Sequence, residues 1–136
     1  MKRLSELATI IKMNEAESAE LWHLAHSDTP YSTEEFCRFW ASTQDCELVC
    51  ITRDSEGCAV WYCNVLQFFP GFRVSVTDTV GAGDAFAAAF LHGLDQNWPL
   101  EKTSLFDNRI GGLVASRAGA IPEWSLDECS DLAILP

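Results

Sequence analysis

Residues Asp78-Thr-Val-Gly-Ala-Gly-Asp-Ala-Phe86 set a glycine-rich turn directly ahead of an apolar helix. Val74-Ser-Val76 before it reads as the end of a strand, and Ala85 to Leu94 is almost continuously apolar, as a buried helix would be. Gly81 and Gly83 let the backbone fold tightly, and a helix start there offers unpaired N–H groups to an anion. Asp84 is the oddity, because a carboxylate repels phosphate. Its place makes sense if it takes a proton from a hydroxyl that attacks a phosphoryl group. Elsewhere strands alternate with helices, which argues for an α/β sheet with substantial parallel pairing.

Two phosphate-binding patterns can be compared with this turn. The P-loop pattern fails, since no Lys-Ser/Thr follows these glycines. The dinucleotide pattern GxGxxG is met at Gly81 and Gly83 but finds Phe86 at its third glycine. A plain glycine turn capping a core helix is the other reading of GxGD alone.

Composition narrows the partners. The chain has 136 residues, 48% of them hydrophobic, enough for one domain with a real core. Nine basic against twenty acidic side chains give a formal charge of −11, which argues against nucleic acid and anionic membrane surfaces. No apolar run reaches membrane-spanning length, and Met1-Lys-Arg-Leu-Ser-Glu-Leu7 lacks the apolar core of a secretory signal. Cys37, Cys46, Cys50, Cys58, Cys63 and Cys129 include no CxxC pair. They read as reduced core thiols of a cytoplasmic protein rather than disulfides or zinc ligands.

Along the chain, Leu4 to Ile11 reads as a helix tail entering a short buried strand. Asn14 and Glu17 then suit the N-cap and N3 positions of a helix running to about Ala25. A neutral amide and a carboxylate three residues apart also suit a magnesium ion that keeps several waters. His23 and His26 are read as surface or packing residues. Ser32 and Glu35 form a capping-box pattern for a helix over Thr33–Ser42, with Phe36, Phe39 and Trp40 as its apolar stripe. Cys46–Thr52 and Cys58–Cys63 read as strands around an Arg53–Gly57 turn. Val65–Arg73 is read as a connector turning at Pro70-Gly71. Helices are expected from about Gly83 to Leu94 and over Leu100–Arg117, where Gly111, Gly112 and Ala115 suggest close packing against a neighbour or room for a flat ligand. Ser125 and Glu128 look like the capping box of a short terminal helix.

The nonapeptide Asp78–Phe86 closely resembles the C-terminal signature of the ribokinase-like (PfkB) family of carbohydrate kinases. The resemblance runs from Asn14-x-x-Glu17 to Gly119-Ala-Ile-Pro122, nearly the whole chain. It implies the C-terminal portion of a ribokinase-like three-layer α/β/α fold with a mostly parallel sheet. Residues 1–136 would then be a single partial domain, the nucleotide-binding and catalytic-base half of such a kinase. Asp84 matches the catalytic base, and the amides of Gly81, Ala82 and Gly83 match the anion hole for the transferred phosphoryl group. Asp78 matches a ligand of a monovalent cation such as K+. Asn14 and Glu17 match the NxxE motif tied to Mg2+ through water.

The resemblance extends to the nucleotide side. Thr52 and Gly57 match a T-x-G-x-x-G corner against the nucleotide phosphates, with Asp54 standing where the family has its first glycine. Asn108 matches a helix position flanking adenine, and Gly119-Ala120 matches the turn that closes the nucleotide and cation site. Glu123 stands where a serine is frequent. The implied activity is ATP-dependent phosphorylation of a sugar hydroxyl, fructokinase-like, with ATP, Mg2+ and K+ as cofactors. The family's N-terminal half supplies most sugar contacts and the lid, and its motifs are not found in this sequence. The expected partners are therefore ATP and a small sugar, with a second copy or a complementary N-terminal half. The alternatives are a truncated, non-catalytic half that binds nucleotide or a complementary chain, and a dinucleotide-binding module set back by Phe86.

Overall fold

Leu48-Val-Cys-Ile-Thr52 and Cys58-Ala-Val-Trp-Tyr62 are apolar on both faces, short, and bounded by polar turns, which is the pattern of inner strands. The computed structural model describes residues 8–43 and 46–131 and forms both strands as expected. In chain order it contains β1 (Ile10–Asn14), α1 (Glu15–Ala25), α2 (Thr33–Thr43), β2 (Leu48–Thr52), β3 (Cys58–Tyr62) and β4 (Val65–Phe69). The helices α3 (Ala82–Asp95) and α4 (Leu100–Ala115) follow. The expected helix tail at Leu4 lies outside the described residues. The chain packs as two compact units: residues up to Asp54 with Cys58–Phe68, and Ser55–Gly57 with Phe69 onward.

In the first unit the sheet order is β1-β2-β3-β4. β1 and β2 pair in parallel with Asn14 opposite Thr52, whereas β2 and β3 pair antiparallel with Thr52 opposite Cys58. The α/β expectation holds, but this part of the sheet is mixed rather than mostly parallel. The reason is chain length: a parallel crossover needs a dozen or more residues, and Arg53–Gly57 allows only a turn back. A second correction concerns Val65–Arg73, which begins as β4 instead of a plain connector. Cys63 and Asn64, with φ of 50° and 63°, make the two-residue turn that folds β4 beside β3.

The core of this unit joins Trp22, Phe36, Cys37, Val49, Ile51, Ala59 and Trp61. Phe36 is fully buried, worth roughly 2–3 kcal/mol relative to exposure. The Trp22 indole N–H is satisfied by the carbonyls of Thr29 and Pro30, both at 3.1 Å. His26 stacks on Trp22 with ring centroids 4.0 Å apart and meets the Phe39 ring edge-on, while His23 is exposed. Both histidines thus have the surface or packing roles read from the sequence. None of the six cysteines is in a disulfide, and burial pushes the Cys37 thiol up to about 12.

In the second unit α3 and α4 pack closely, joined by residues 96–99. Gly93 makes this possible, because a Cβ there would lie 2.6 Å from Thr103 Cγ2. Ala89, Ile110, Leu113 and Cys129 form the shared core. The close packing expected of the α4 glycines is present: a Cβ on Gly111 would sit 3.4 Å from the Ala82 carbonyl oxygen, and one on Gly112 3.5 Å from Val74. Val74–Val76, expected as a strand, is not one, and among the described residues no strand pairs with it. The α4 helix stops at Ala115 rather than Arg117, and the terminal helix is a 3-10 turn over Leu126–Asp131. Among the described residues no helix is long and apolar enough to cross a membrane.

Candidate active site

The glycine turn is held almost entirely by backbone. Gly81 is the N-cap of α3 with φ +83°, a left-handed conformation that glycine adopts without strain. It carries no side chain to cap the helix, so the first-turn donors of α3 are not covered by a cap side chain. The Ala82 N–H turns back to the Thr79 carbonyl at 3.2 Å, and the Ala85 N–H closes the first helical turn on Gly81 at 2.9 Å. Gly83 and Asp84 are exposed on that first turn, where the helix dipole favours a negative group. Asp84 is thus an exposed carboxylate in the first turn of a helix whose start has no side-chain cap.

Four contacts join this turn to the C-terminal end of α4 and the segment after it. The Thr77 and Asp78 N–H groups both donate to the Ala115 carbonyl, at 2.9 and 3.2 Å. Asp78 Oδ1 accepts the Val80 N–H at 3.0 Å, and Oδ2 accepts the Gly119 N–H at 3.1 Å. These amides, Val80's first, hold the Asp78 carboxyl below its ordinary range. Finally, Gly81 lies so close to Ala120 that a Cβ would stand 2.0 Å from its carbonyl oxygen. Asp78, Gly81 and Gly119 are thus brought together across 41 residues of chain.

Gly57 and Asn108 converge elsewhere in the same unit, on the Phe69–Gly71 backbone. Gly57 has φ +93°, and a Cβ there would lie 2.1 Å from the Phe69 carbonyl oxygen. Asn108 is buried, and its amide donates to the carbonyls of Phe69 and Pro70 at 3.5 and 3.4 Å. Gly71, read from the sequence only as part of a turn, sits as tightly, with a would-be Cβ 2.2 Å from the Ser55 carbonyl oxygen. Its Pro-Gly dipeptide signalled a turn but not this close approach.

The first unit gathers Asn14, Glu17 and Thr52 at the C-terminal ends of the parallel pair β1–β2. That is the edge where α/β sheets bind ligands. Asn14 and Glu17 form a complete capping box: Asn14 Oδ1 accepts the Glu17 N–H and Glu17 Oε2 accepts the Asn14 N–H, each at 2.8 Å. Thr52 Oγ1 donates to the Met13 carbonyl at 3.4 Å. Arg53, which the sequence reading passed over, approaches Glu15 at 3.6 Å and lies over the Phe68 ring, 5.2 Å from its centroid. Asp54, which stands where the resemblance implied a glycine, has φ +46°. The corner keeps a glycine-like backbone, and aspartate is among the few residues that tolerate it.

Comparison with known proteins supplies the context for these residues. Residues 1–126 match the model of the pfkB family carbohydrate kinases. The chain belongs to that family. It is 28% identical over 127 residues to the fructokinase of Escherichia coli, covering 89% of this chain and 39% of that protein. Among solved structures it is similar to the ribokinase of Thermotoga maritima, with a TM-score of 0.82 and 22% identity over 96% of this chain and 43% of the other. It is also similar to the fructokinase of Vibrio cholerae O395 in its fructose-, ADP- and calcium-bound form, with a TM-score of 0.74 and 28% identity over 88% and 38%. The fold is therefore ribokinase-like, and this family member spans well under half the length of these relatives.

Proposed function

We propose that residues 1–136 are the nucleotide-binding and catalytic-base half of an ATP-dependent, fructokinase-like carbohydrate kinase that phosphorylates a sugar hydroxyl. The glycine turn supports this most directly. A left-handed glycine N-cap without a side chain, with an exposed carboxylate three residues on in the first helical turn, suits an anion held beside a base. Asp84 accepts the proton of the sugar hydroxyl as its oxygen attacks the terminal phosphoryl group of ATP. A new O–P bond forms, the bond to the β-phosphate oxygen breaks, and ADP leaves. The amides of Gly81, Ala82 and Gly83 stabilise the charge spread over the phosphoryl oxygens in flight. Thr52 and Gly57 flank the polyphosphate, while Asn108 and Gly119 border the nucleotide.

The donor set of Asn14 and Glu17 fits Mg2+ held through water. Asn14 Oδ1 and Glu17 Oε2 are already engaged in the capping box, which leaves the other carboxylate oxygen for a hydrating water. Bound there with ATP, Mg2+ would neutralise charge on the phosphates. The potassium ion that the resemblance implied at Asp78 would find both carboxylate oxygens already accepting amides, from Val80 and Gly119. Sugar contacts are assigned to a complementary N-terminal half or a second copy, and thiols outside any disulfide suit a cytoplasmic setting.

The test is titration of purified protein with Mg-ATP, then a sugar panel beginning with fructose, on wild type and Asp84→Asn. The proposal expects ATP binding in both and phosphorylation by wild type only. Equal turnover in the variant would remove Asp84 as base. ATP binding without phosphorylation of any sugar would instead support the non-catalytic reading.

A further inference from the structure

The loop after α4 contains a positive charge that the proposed chemistry does not use. Arg117 donates to the Glu123 carbonyl oxygen and also to the Glu128 carboxylate. Glu128 is fixed in turn: its Oε2 accepts the Ser125 N–H at 2.6 Å and the Ser125 hydroxyl at 3.2 Å. The 3-10 turn bearing Glu128 is anchored by Cys129, buried against Ala89, Ile110 and Leu113. Between these fastenings lie Gly119 and Ala120, the residues that meet Asp78 and Gly81. The loop is thus held at one end by the glycine turn and at the other by a guanidinium.

This matters because a loop that meets a carboxylate through the Gly119 N–H, and that carries the backbone carbonyls of Ala120 and Glu123, is one that a monovalent cation could organise. Here Arg117 already occupies the Glu123 carbonyl, and both Asp78 oxygens already accept amides. A guanidinium offers several donors in fixed geometry and never deprotonates at working pH. Tied to a carboxylate and a carbonyl at once, it cross-links the loop as an ion would.

We propose that Arg117, held by Glu128, is a positioning residue that keeps the 117–123 loop closed on the glycine turn without a bound monovalent cation. Its consequence for catalysis rests on the kinase reading, but the closure itself does not. Arg117 draws the Glu123 end inward, and Gly119 and Ala120 then meet Asp78 and Gly81 without an ion to order them.

The experiment compares amide hydrogen exchange of the 115–123 segment in potassium chloride and in tetramethylammonium chloride at equal ionic strength. In wild type the exchange is expected to be the same in both salts. Arg117→Gln should raise it about tenfold, the scale of a lost hydrogen bond to a charged group. Potassium should then restore protection in that variant, and Arg117→Lys should recover part of it without potassium. Glu128→Gln, which keeps the side-chain length, should raise exchange in the same segment. A wild-type loop protected only in potassium overturns the proposal, as does wild-type exchange in both Arg117→Gln and Glu128→Gln. Failure of the kinase reading would appear separately, as absent Mg-ATP binding with these exchange results intact.

Discussion

The helix start at Asn14 in the first unit and the helix start at Gly81 in the second are built in opposite ways. At Asn14 and Glu17, side chains satisfy backbone: two reciprocal hydrogen bonds start α1 and fix both residues in place. At Gly81 the helix starts with no side-chain cap, and position comes from backbone pressed against backbone at Ala120. The first design resists disorder but commits its polar atoms before any ligand arrives. The second leaves room for an anion but depends on the absence of side-chain atoms. Metal-associated chemistry can use the first, because a hydrated ion needs only the remaining oxygens. Phosphoryl chemistry needs the second, because the group must approach the amides themselves.

Substitutions can break this contrast. The largest effect is expected from Asp84→Asn, which should lower turnover by about 10²–10⁴ while ATP affinity stays near wild type. Steady-state kinetics with separate nucleotide titration would show it. Next comes Gly81→Ala, where the added carbon meets the Ala120 carbonyl at 2.0 Å and φ is +83°. A loss of about 2–4 kcal/mol is expected in denaturant unfolding. Gly119→Ala is the control for pure backbone strain, since φ is +88° but nothing lies within 4 Å of its would-be Cβ. It should cost only about 1 kcal/mol. Equal losses at the two glycines would refute the claim that steric contact holds the turn.

In the first unit, Asn14→Ala should cost about 1 kcal/mol through the lost cap. The Asn14→Ala, Glu17→Ala double variant should cost less than the sum of the singles, because the two bonds are reciprocal. The smallest effect is expected at Asp54. Replacement by glycine relieves the left-handed strain at φ +46° but enlarges the freedom of the unfolded chain. The net change should be within about 0.5 kcal/mol, whereas ATP affinity should rise as a negative charge is removed beside the polyphosphate.

Acid offers a further separation of the two units. The Asp78 carboxyl is held low by the Val80 and Gly119 amides, and that of Glu128 by the Ser125 amide and then Arg117. Both folded values lie below the unfolded ones, so the unfolded chain binds more protons as pH falls. Their stabilisation is complete above the ordinary carboxylate range and disappears as pH drops through the lowered folded values. Hydrogen exchange of the 115–123 segment should therefore accelerate below about pH 4, before the β1–β2 pair opens.

Much of this could be read from residue order. The apolar runs of β2 and β3 and the periodicity of α2 marked those elements, and the Asn14/Glu17 spacing announced its capping box. The β4 hairpin was hidden because its turn is Cys63-Asn64, without the glycine that usually signals two left-handed residues. Val74–Val76 looked like a strand because alternating valines cannot reveal whether a neighbouring strand is available. The Gly81–Ala120 contact and the Arg117–Glu128 pair depend on how α3 and α4 fold together. No local pattern encodes a distance across 39 or 11 residues of chain. What the sequence did mark was the chemical type: glycines where backbone must approach, and an acid where none would otherwise be placed.

The meeting of Gly81 with Ala120 also bears on the order of assembly. Both helices of the second unit lie between these two residues, so the glycine turn cannot close until α3 and α4 have found each other. Bringing its ends together early would exact the full entropy of a long loop, whereas a formed helix pair shortens the search. The closed glycine turn is therefore a late event in folding. Substitutions at Gly81 should speed unfolding and leave the refolding rate nearly untouched, whereas substitutions at Gly93 should slow the chain's return to the native state.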